Sequence, residues 1–242
     1  MIVDLRDGTS LPALEEIRAI SDRACGVGCD QFITIELPKD KNSDIFMGIY
    51  NADGSKSGAC GNATRCVADI IINESGKDTV IIQTLGGLLE CYREDDGYVC
   101  VDMGVPQTIE EKDLPLGRAV IVNIGNPHCI FFVDNIEDIP VEELGADIET
   151  HEFFPDRTNV EFAQIISGNQ IRLRVWERGC GITHACGSGA CATIVAAVKR
   201  GLISSRSAEI IMDGGSLNLE WREIDDHILM TGPVSYVFEG VI

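Results

Sequence analysis

The chain has 242 residues and a formal net charge of −20, from 39 acidic against 19 basic side chains. That imbalance excludes a nucleic-acid binder, whose phosphate partner demands basic surface, and it requires any anion site here to be local. Apolar residues make up 45% and aromatics 6%, and no run approaches the roughly 20 apolar residues of a membrane span, so a globular, non-membrane protein of one large or two ordinary domains is expected. The start shows no basic-plus-apolar leader, which predicts a cytoplasmic protein. Ten cysteines in a chain of this size with no export signal read as thiols rather than a disulfide scaffold. Cys25, Cys91, Cys100 and Cys129 lie in apolar runs and are expected to be small buried hydrophobes. The chain has no pair of CxxC elements and no zinc-like His spacing, so no metal is expected.

In chain order, Ser10 followed by Leu11-Pro12 predicts a helix running to about Ala24, with Ser10 as its N-cap. Strands are predicted at Gln31–Glu36, Ile45–Tyr50, Thr79–Thr84, Leu88–Arg93 and Tyr98–Met103. Gly86-Gly87 and Asp95-Asp96-Gly97 read as tight turns between them. A second series follows at Ala119–Ile124, Cys129–Val133, Thr158–Ile166, Gln170–Trp176, Glu209–Met212, Leu217–Trp221, Ile228–Gly232 and Ser235–Val237, with a hairpin at Ser167-Gly168-Asn169.

Two places break this β rhythm in the same way. Ala59-Cys60-Gly61-Asn62 leads into an apolar helical run to about Asn73, and Ala185-Cys186-Gly187-Ser188 leads into a small-residue helical run to about Arg200. The separation, 186 − 60 = 126 residues, is close to half the chain and indicates an internal duplication. The first turn of a helix has unpaired N–H groups and a positive dipole end, which bind carboxylates without basic side chains. Glycine beside the cysteine lets a ligand approach the backbone, and the same environment is expected to favour thiolate. If the two lobes face each other, one carboxylate can sit between the helix N-termini with its α-carbon between two thiols. Inverting a stereocentre needs a base on one face and an acid on the other, and a thiol–thiolate pair meets that need near neutral pH. The anion nest would stabilise the charge of a carbanion-like transition state.

Several motifs then converge on one family. Asn51-Ala52-Asp53-Gly54-Ser55 with Ala59-Cys60-Gly61-Asn62-Ala63-Thr64-Arg65-Cys66, the middle motifs Gly125-Asn126-Pro127-His128 and Arg157-Thr158-Asn159, and Glu177-Arg178-Gly179-Cys180-Gly181 with Ala185-Cys186-Gly187-Ser188-Gly189-Ala190 resemble the signatures of diaminopimelate epimerase. Asp30-Gln31 and Asp102-Met103-Gly104 sit where that family has equivalents, so the resemblance spans nearly the whole chain in order. It implies that Cys60 and Cys186 are the acid–base pair and that His128 and Glu177 flank them and help to set their protonation. It implies LL-diaminopimelate as substrate, interconverted with the meso form without any cofactor, in lysine and peptidoglycan precursor biosynthesis. The reacting end would be held by the backbone of Gly61, Asn62, Gly187 and Ser188. The distal ammonium and carboxylate would meet Asn51, Asn126, Asn159 and Arg178, with Gln31 nearby, and Glu177 matches a substrate-contacting position; the Arg fork suits a carboxylate and the amides suit both groups.

The resemblance also implies an α+β fold of two pseudo-symmetric lobes, each a curved, mainly antiparallel sheet wrapped around a central helix. The expected division is 1–104, with 232–242 returning as a last strand near Val234–Ile242, and 105–231. A homodimer is implied in the same way. Three features depart from the family pattern. The chain opens at Met1-Ile2-Val3-Asp4-Leu5, apparently just past a Gly-Asn-Asp-Phe segment. Ile182 stands where many members have Glu, and Cys29 and Cys180 lie near the active loops with no part in two-base chemistry. Two alternatives carry signatures of their own. A proline or hydroxyproline racemase on the same fold would carry His after the first Cys-Gly, where this chain has Asn62, and would leave Asn126, Asn159 and Arg178 without a role. An inactive or redox-sensing homologue would pair Cys60 with Cys186 as a disulfide.

Overall fold

The structure, a computed structural model, describes residues 1–241. The chain divides into two compact units, one of residues 1–101 with the segment from Pro233 onward, the other of residues 102–232. Among the described residues no helix is long and apolar enough to cross a membrane.

The first unit holds β1 (Ile2–Asp4), α1 (Leu14–Ser21), β2 (Gln31–Glu36), β3 (Ile45–Asn51), α2 (Gly61–Ser75), β4 (Thr79–Thr84), β5 (Gly87–Arg93) and β6 (Val99–Asp102). The strands lie in sequence order, with β1 parallel to β2, β3 parallel to β4, and the other neighbours antiparallel. Strand β3 is buried along almost its whole length, on both faces, which explains its continuous apolar run. Gly48 within it has no room for a side chain, since a Cβ would lie 2.3 Å from Thr34 Oγ1. Helix α2 turns Val67, Ala68, Ile71 and Ile72 inward, packs on β4 and β5, and ends at Gly76, whose φ of 67° forms a left-handed cap.

The second unit holds β7 (Thr108–Leu114), β8 (Gly117–Asn123), β9 (Pro127–Phe132), a 3-10 turn at Ile136–Asp138, α3 (Val141–Glu149), β10 (Asn159–Ser167), β11 (Gln170–Glu177), β12 (Gly181–Thr183), α4 (Gly187–Lys199), β13 (Ser207–Met212), β14 (Gly215–Trp221) and β15 (Ile228–Gly232). Its strand order is β15-β14-β13-β11-β10-β9-β8-β7, with β12 paired to β11. Only β9 with β10 and β11 with β13 run parallel among these pairs. Helix α4 packs on β8, β9, β10, β13, β14 and β15, and residues Gly189–Ala197 are all buried. Its Ala, Gly, Cys and Thr content lets strands approach from several sides. Each unit therefore sets a mainly antiparallel sheet against a helix that begins at the glycine of Cys-Gly, the α+β class expected from sequence.

Some elements differ from expectation. Helix α1 starts at Leu14, not after Ser10, because Leu11 precedes a proline and the Glu16 carboxylate caps the N–H of Ala13 at 2.7 Å. It ends before Asp22, whose carboxylate takes the N–H groups of Ala24 and Cys25 in a turn. Cys25 is consequently exposed, whereas Cys91, Cys100 and Cys129 are buried as expected. Strands β1, β7 and β12 and helix α3 were not read from sequence. Strand β7 is an edge strand carrying Glu110, Glu111, Lys112 and Asp113, which hides its β character. No strand forms at Ser235–Val237: the segment 233–241 has no ladder partner among the described residues, and Tyr236, Val237 and Phe238 are exposed. Ile242, the end of the expected last strand, lies outside the described residues.

Candidate active site

Both duplicated corners have the same local construction. Cys60 is the N-cap of α2, with extended backbone (φ −152°, ψ 97°), and its Sγ accepts from the N–H of Ala63 at 3.5 Å. Cys186 is the N-cap of α4 (φ −131°, ψ 108°), and its Sγ accepts from the N–H of Gly189 at 3.4 Å. In each case the thiol takes the position that Ser, Thr or Asp usually fills, satisfying one orphan donor of the first helical turn. Gly61 and Gly187 follow immediately, and both are buried.

Within the first unit, Gln31 and Asn51 face each other across β2 and β3, and the Gln31 amide donates to Asn51 Oδ1 at 3.3 Å. The Asn51 amide in turn donates to Ser55 Oγ at 3.0 Å, holding the turn that follows β3. Asn62, in the first turn of α2, has its Oδ1 buried with no hydrogen-bond partner.

The second unit holds most of the remaining site residues in short hydrogen-bonded groups. The Asn126 amide donates to Ser188 Oγ at 3.3 Å, and Ser188 Oγ lies 3.5 Å from Cys186 Sγ. His128 is fully buried on β9, with Nε2 at 3.1 Å from Asn126 Oδ1 and Nδ1 at 2.6 Å from Glu161 Oε1. Asn159 stands beside His128 in the β9–β10 ladder, donates to the Pro127 carbonyl at 2.8 Å and accepts from the Arg178 N–H at 3.0 Å. Both ends of its amide thus brace the two loops. The Arg178 guanidinium donates to the Asp156 carbonyl, and Glu177 accepts from Thr183 Oγ1 at 2.5 Å.

Burial dominates the electrostatics of this corner. It pushes the Cys186 thiol well above the usual range, and the carboxylates of Glu177 and Glu161 push it further; the Ser188 hydroxyl and the Gly189 N–H oppose both. The expectation that a helix N-terminus favours thiolate is therefore reversed at Cys186, because desolvation and two nearby carboxylates outweigh the helix end. Burial also raises the Glu161 carboxyl, with the His128 imidazole pulling the other way.

Three participants were missed from sequence. Glu161 sits in an otherwise apolar strand stretch, Val160-Glu161-Phe162-Ala163, and a lone acid there was the available signal. Glu149 on α3 accepts from Trp176 Nε1 at 2.6 Å and from the Gly179 N–H at 3.0 Å, pinning the loop that carries Arg178. Thr183 carried no signal, because the short strand that places it follows a glycine-rich loop. Among the described residues no cluster of three or more His, Cys, Asp or Glu side chains could hold a metal ion.

The family model described as "Diaminopimelate epimerase" matches residues 1–109 and 120–237. A protein named diaminopimelate epimerase from Rhodospirillum centenum is 49% identical, over 92% of this chain and 81% of its own length. One of the same name from Phenylobacterium zucineum is 44% identical, over 99% of this chain and 92% of its own. Among solved structures, a Bacillus anthracis phenazine biosynthesis protein of the PhzF family superposes with a TM-score of 0.72 at 16% identity, over 100% of this chain and 92% of that one. A hydroxyproline epimerase from Agrobacterium vitis gives 0.69, also at 16% identity, over 92% of this chain and 79% of that one. Those two likenesses are of fold alone, whereas the family match and the close relatives run along most of the sequence. The chain belongs to the diaminopimelate epimerase family.

Proposed function

We propose that this protein is an isomerase that interconverts LL- and meso-diaminopimelate without a cofactor, with Cys60 and Cys186 as the acid–base pair. The observation that carries this reading is the matched pair of N-caps: each thiol occupies the first position of a Cys-Gly-led helix, where backbone N–H groups favour an anion. Inversion by two groups needs one on each face of the reacting carbon, and the roles exchange when the reaction runs backward. In one direction Cys186, kept protonated by burial and by Glu177 and Glu161, is the proton donor. Cys60 as thiolate then removes the α-proton. The N–H groups of Gly61, Asn62, Gly187 and Ser188 hold the reacting carboxylate as charge develops on it. Asn126, Asn159, Glu177 and Arg178, with Gln31 and Asn51, bind the distal ammonium and carboxylate. The names and identities of the sequence relatives support this substrate over a cyclic imino acid, since the hydroxyproline epimerase is alike in fold only. Family membership likewise supports the two units acting as paired lobes, and a cytoplasmic homodimer working in lysine and peptidoglycan precursor synthesis.

The test is proton NMR of LL-diaminopimelate in deuterated water. Loss of the α-proton signal together with appearance of the meso isomer is expected with the native chain, and neither with Cys60→Ala or Cys186→Ala. Exchange that persists in either variant refutes the two-thiol mechanism.

A further inference from the structure

We propose that Glu161 is a positioning residue that acts through His128 to set the direction of a hydrogen-bond relay ending on Cys186 Sγ; the inference rests on the epimerase reading above. The relay runs from Glu161 Oε1 to His128 Nδ1 (2.6 Å), from Nε2 to Asn126 Oδ1 (3.1 Å), from the Asn126 amide to Ser188 Oγ (3.3 Å), and from Ser188 Oγ to Cys186 Sγ (3.5 Å).

The orientation of Asn126 fixes its direction. The Asn126 oxygen faces His128 Nε2 and its NH2 faces Ser188, so Nε2 must carry a proton. A protonated Glu161, the form that burial favours, donates to Nδ1 and leaves that proton on Nε2 of a neutral ring. An ionised Glu161 takes a proton from Nδ1, and Nε2 then donates only from an imidazolium. With Nε2 as donor, the Ser188 proton is free to point at sulfur. A thiolate at Cys186 thus receives donors from the Gly189 N–H and from Ser188. Were Nε2 bare, Asn126 would present its NH2 to the imidazole and its oxygen to Ser188, and the serine proton would turn away from sulfur.

The fold alone gives no reason for this acid. Glu161 has no exposed surface, and its Oε2 is buried without a hydrogen-bond partner, a destabilising arrangement that an apolar residue would avoid. The helix makes room for it: a Cβ on Gly189 would come 2.9 Å from Glu161 Oε1 and 3.4 Å from Cys186 Sγ. The carboxyl therefore packs beneath the turn that carries the reactive thiol. The titratable groups around it are His128 and Cys129 on β9, Glu177 at the end of β11, and Cys186 at the head of α4.

The experiment has two readouts. Nitrogen-15 NMR of the histidine rings in the native protein should show His128 protonated on Nε2; a bare Nε2 overturns the inference, whether or not the protein turns over diaminopimelate. Glu161→Gln can offer either its carbonyl or its amide to Nδ1 and so no longer dictates where the proton sits. We expect it to fold, to show a mixed His128 tautomer, and to lose about tenfold in kcat with KM changed less than about twofold. In a Ser188→Ala background the same substitution should change kcat by less than about twofold, because the last link is already missing. An undiminished kcat in Glu161→Gln, or a full additional loss in the Ser188→Ala background, overturns the relay. Lack of turnover by the native chain would instead refute the epimerase reading, with the nitrogen-15 spectrum still deciding the relay.

Discussion

Glu149→Ala is expected to destabilise the second unit by about 1–3 kcal/mol, chiefly from one orphaned donor, the half-buried Trp176 Nε1–H. Glu149 is 4% exposed and accepts from Trp176 Nε1 at 2.6 Å and the Gly179 N–H at 3.0 Å, while Arg157 approaches at 3.3 Å. Alanine leaves both N–H groups without that acceptor, the Trp176 indole half-buried and the Gly179 N–H within reach of water. The Arg157 contact adds little, because that guanidinium is largely exposed. Arg157 itself sits at φ 62°, a left-handed conformation uncommon outside glycine, so loosening its anchor also lets that turn relax. Urea unfolding followed by tryptophan fluorescence is the direct assay, since both tryptophans, Trp176 and Trp221, belong to this unit. Glu149→Gln keeps one acceptor and should lose about half as much. A loss below about 1 kcal/mol in the alanine variant, or equal losses in the two, would show that the carboxylate does not carry the loop.

Gly48→Ala places a Cβ 2.3 Å from Thr34 Oγ1 and should destabilise the first unit by about 1–3 kcal/mol in the same unfolding assay. Ile182→Glu changes a side chain already 43% exposed, so the unfolding free energy should shift by no more than about 0.5 kcal/mol. Burial raises the thiols of Cys66, Cys129 and Cys186. An unfolded chain ionises its thiols near pH 8.5 while the folded chain keeps these protonated, so the native state then binds more protons. The stability they contribute is full below about pH 8.5 and should fall above it, by up to about 1.4 kcal/mol per pH unit for each thiol, and the urea midpoint at pH 8 and pH 10 measures this. Short iodoacetamide pulses at pH 8, read by mass spectrometry, should label the exposed Cys25 and Cys180 before the buried Cys129 and Cys186.

Much of the site was readable because its chemistry uses short-range motifs. Cys60-Gly61 and Cys186-Gly187 show themselves by repetition, and a thiol followed by glycine at a helix start needs only local sequence to be recognised. Asn126, His128, Asn159 and Arg178 came from motif resemblance, and the structure shows why they travel together: Asn126 bonds to Ser188, His128 to Glu161, and Asn159 to both Pro127 and Arg178. Glu161 and Glu149 escaped because a single acid in a strand or helix looks like a solvated charge, and only tertiary packing reveals its partners. The reversal at Cys186 has the same origin. A helix N-terminus is a local property, whereas the desolvation and the carboxylates that raise the thiol come from β10 and β11. Ser10 is a good N-cap residue, yet helix α1 starts only at Leu14, because Pro12 keeps Leu11 out of helical backbone.

Sulfur is a poor substitute for oxygen at the head of a helix, and the 3.4–3.5 Å contacts from Gly189 and Ala63 are correspondingly long. A serine at either position would hold its first turn more firmly, by up to about 1 kcal/mol. Variants picked only for heat resistance would therefore drift toward serine at both helix heads and, under the proposed two-thiol mechanism, emerge sturdier but inert, so a thermostability screen of this protein has to be coupled to turnover at every round.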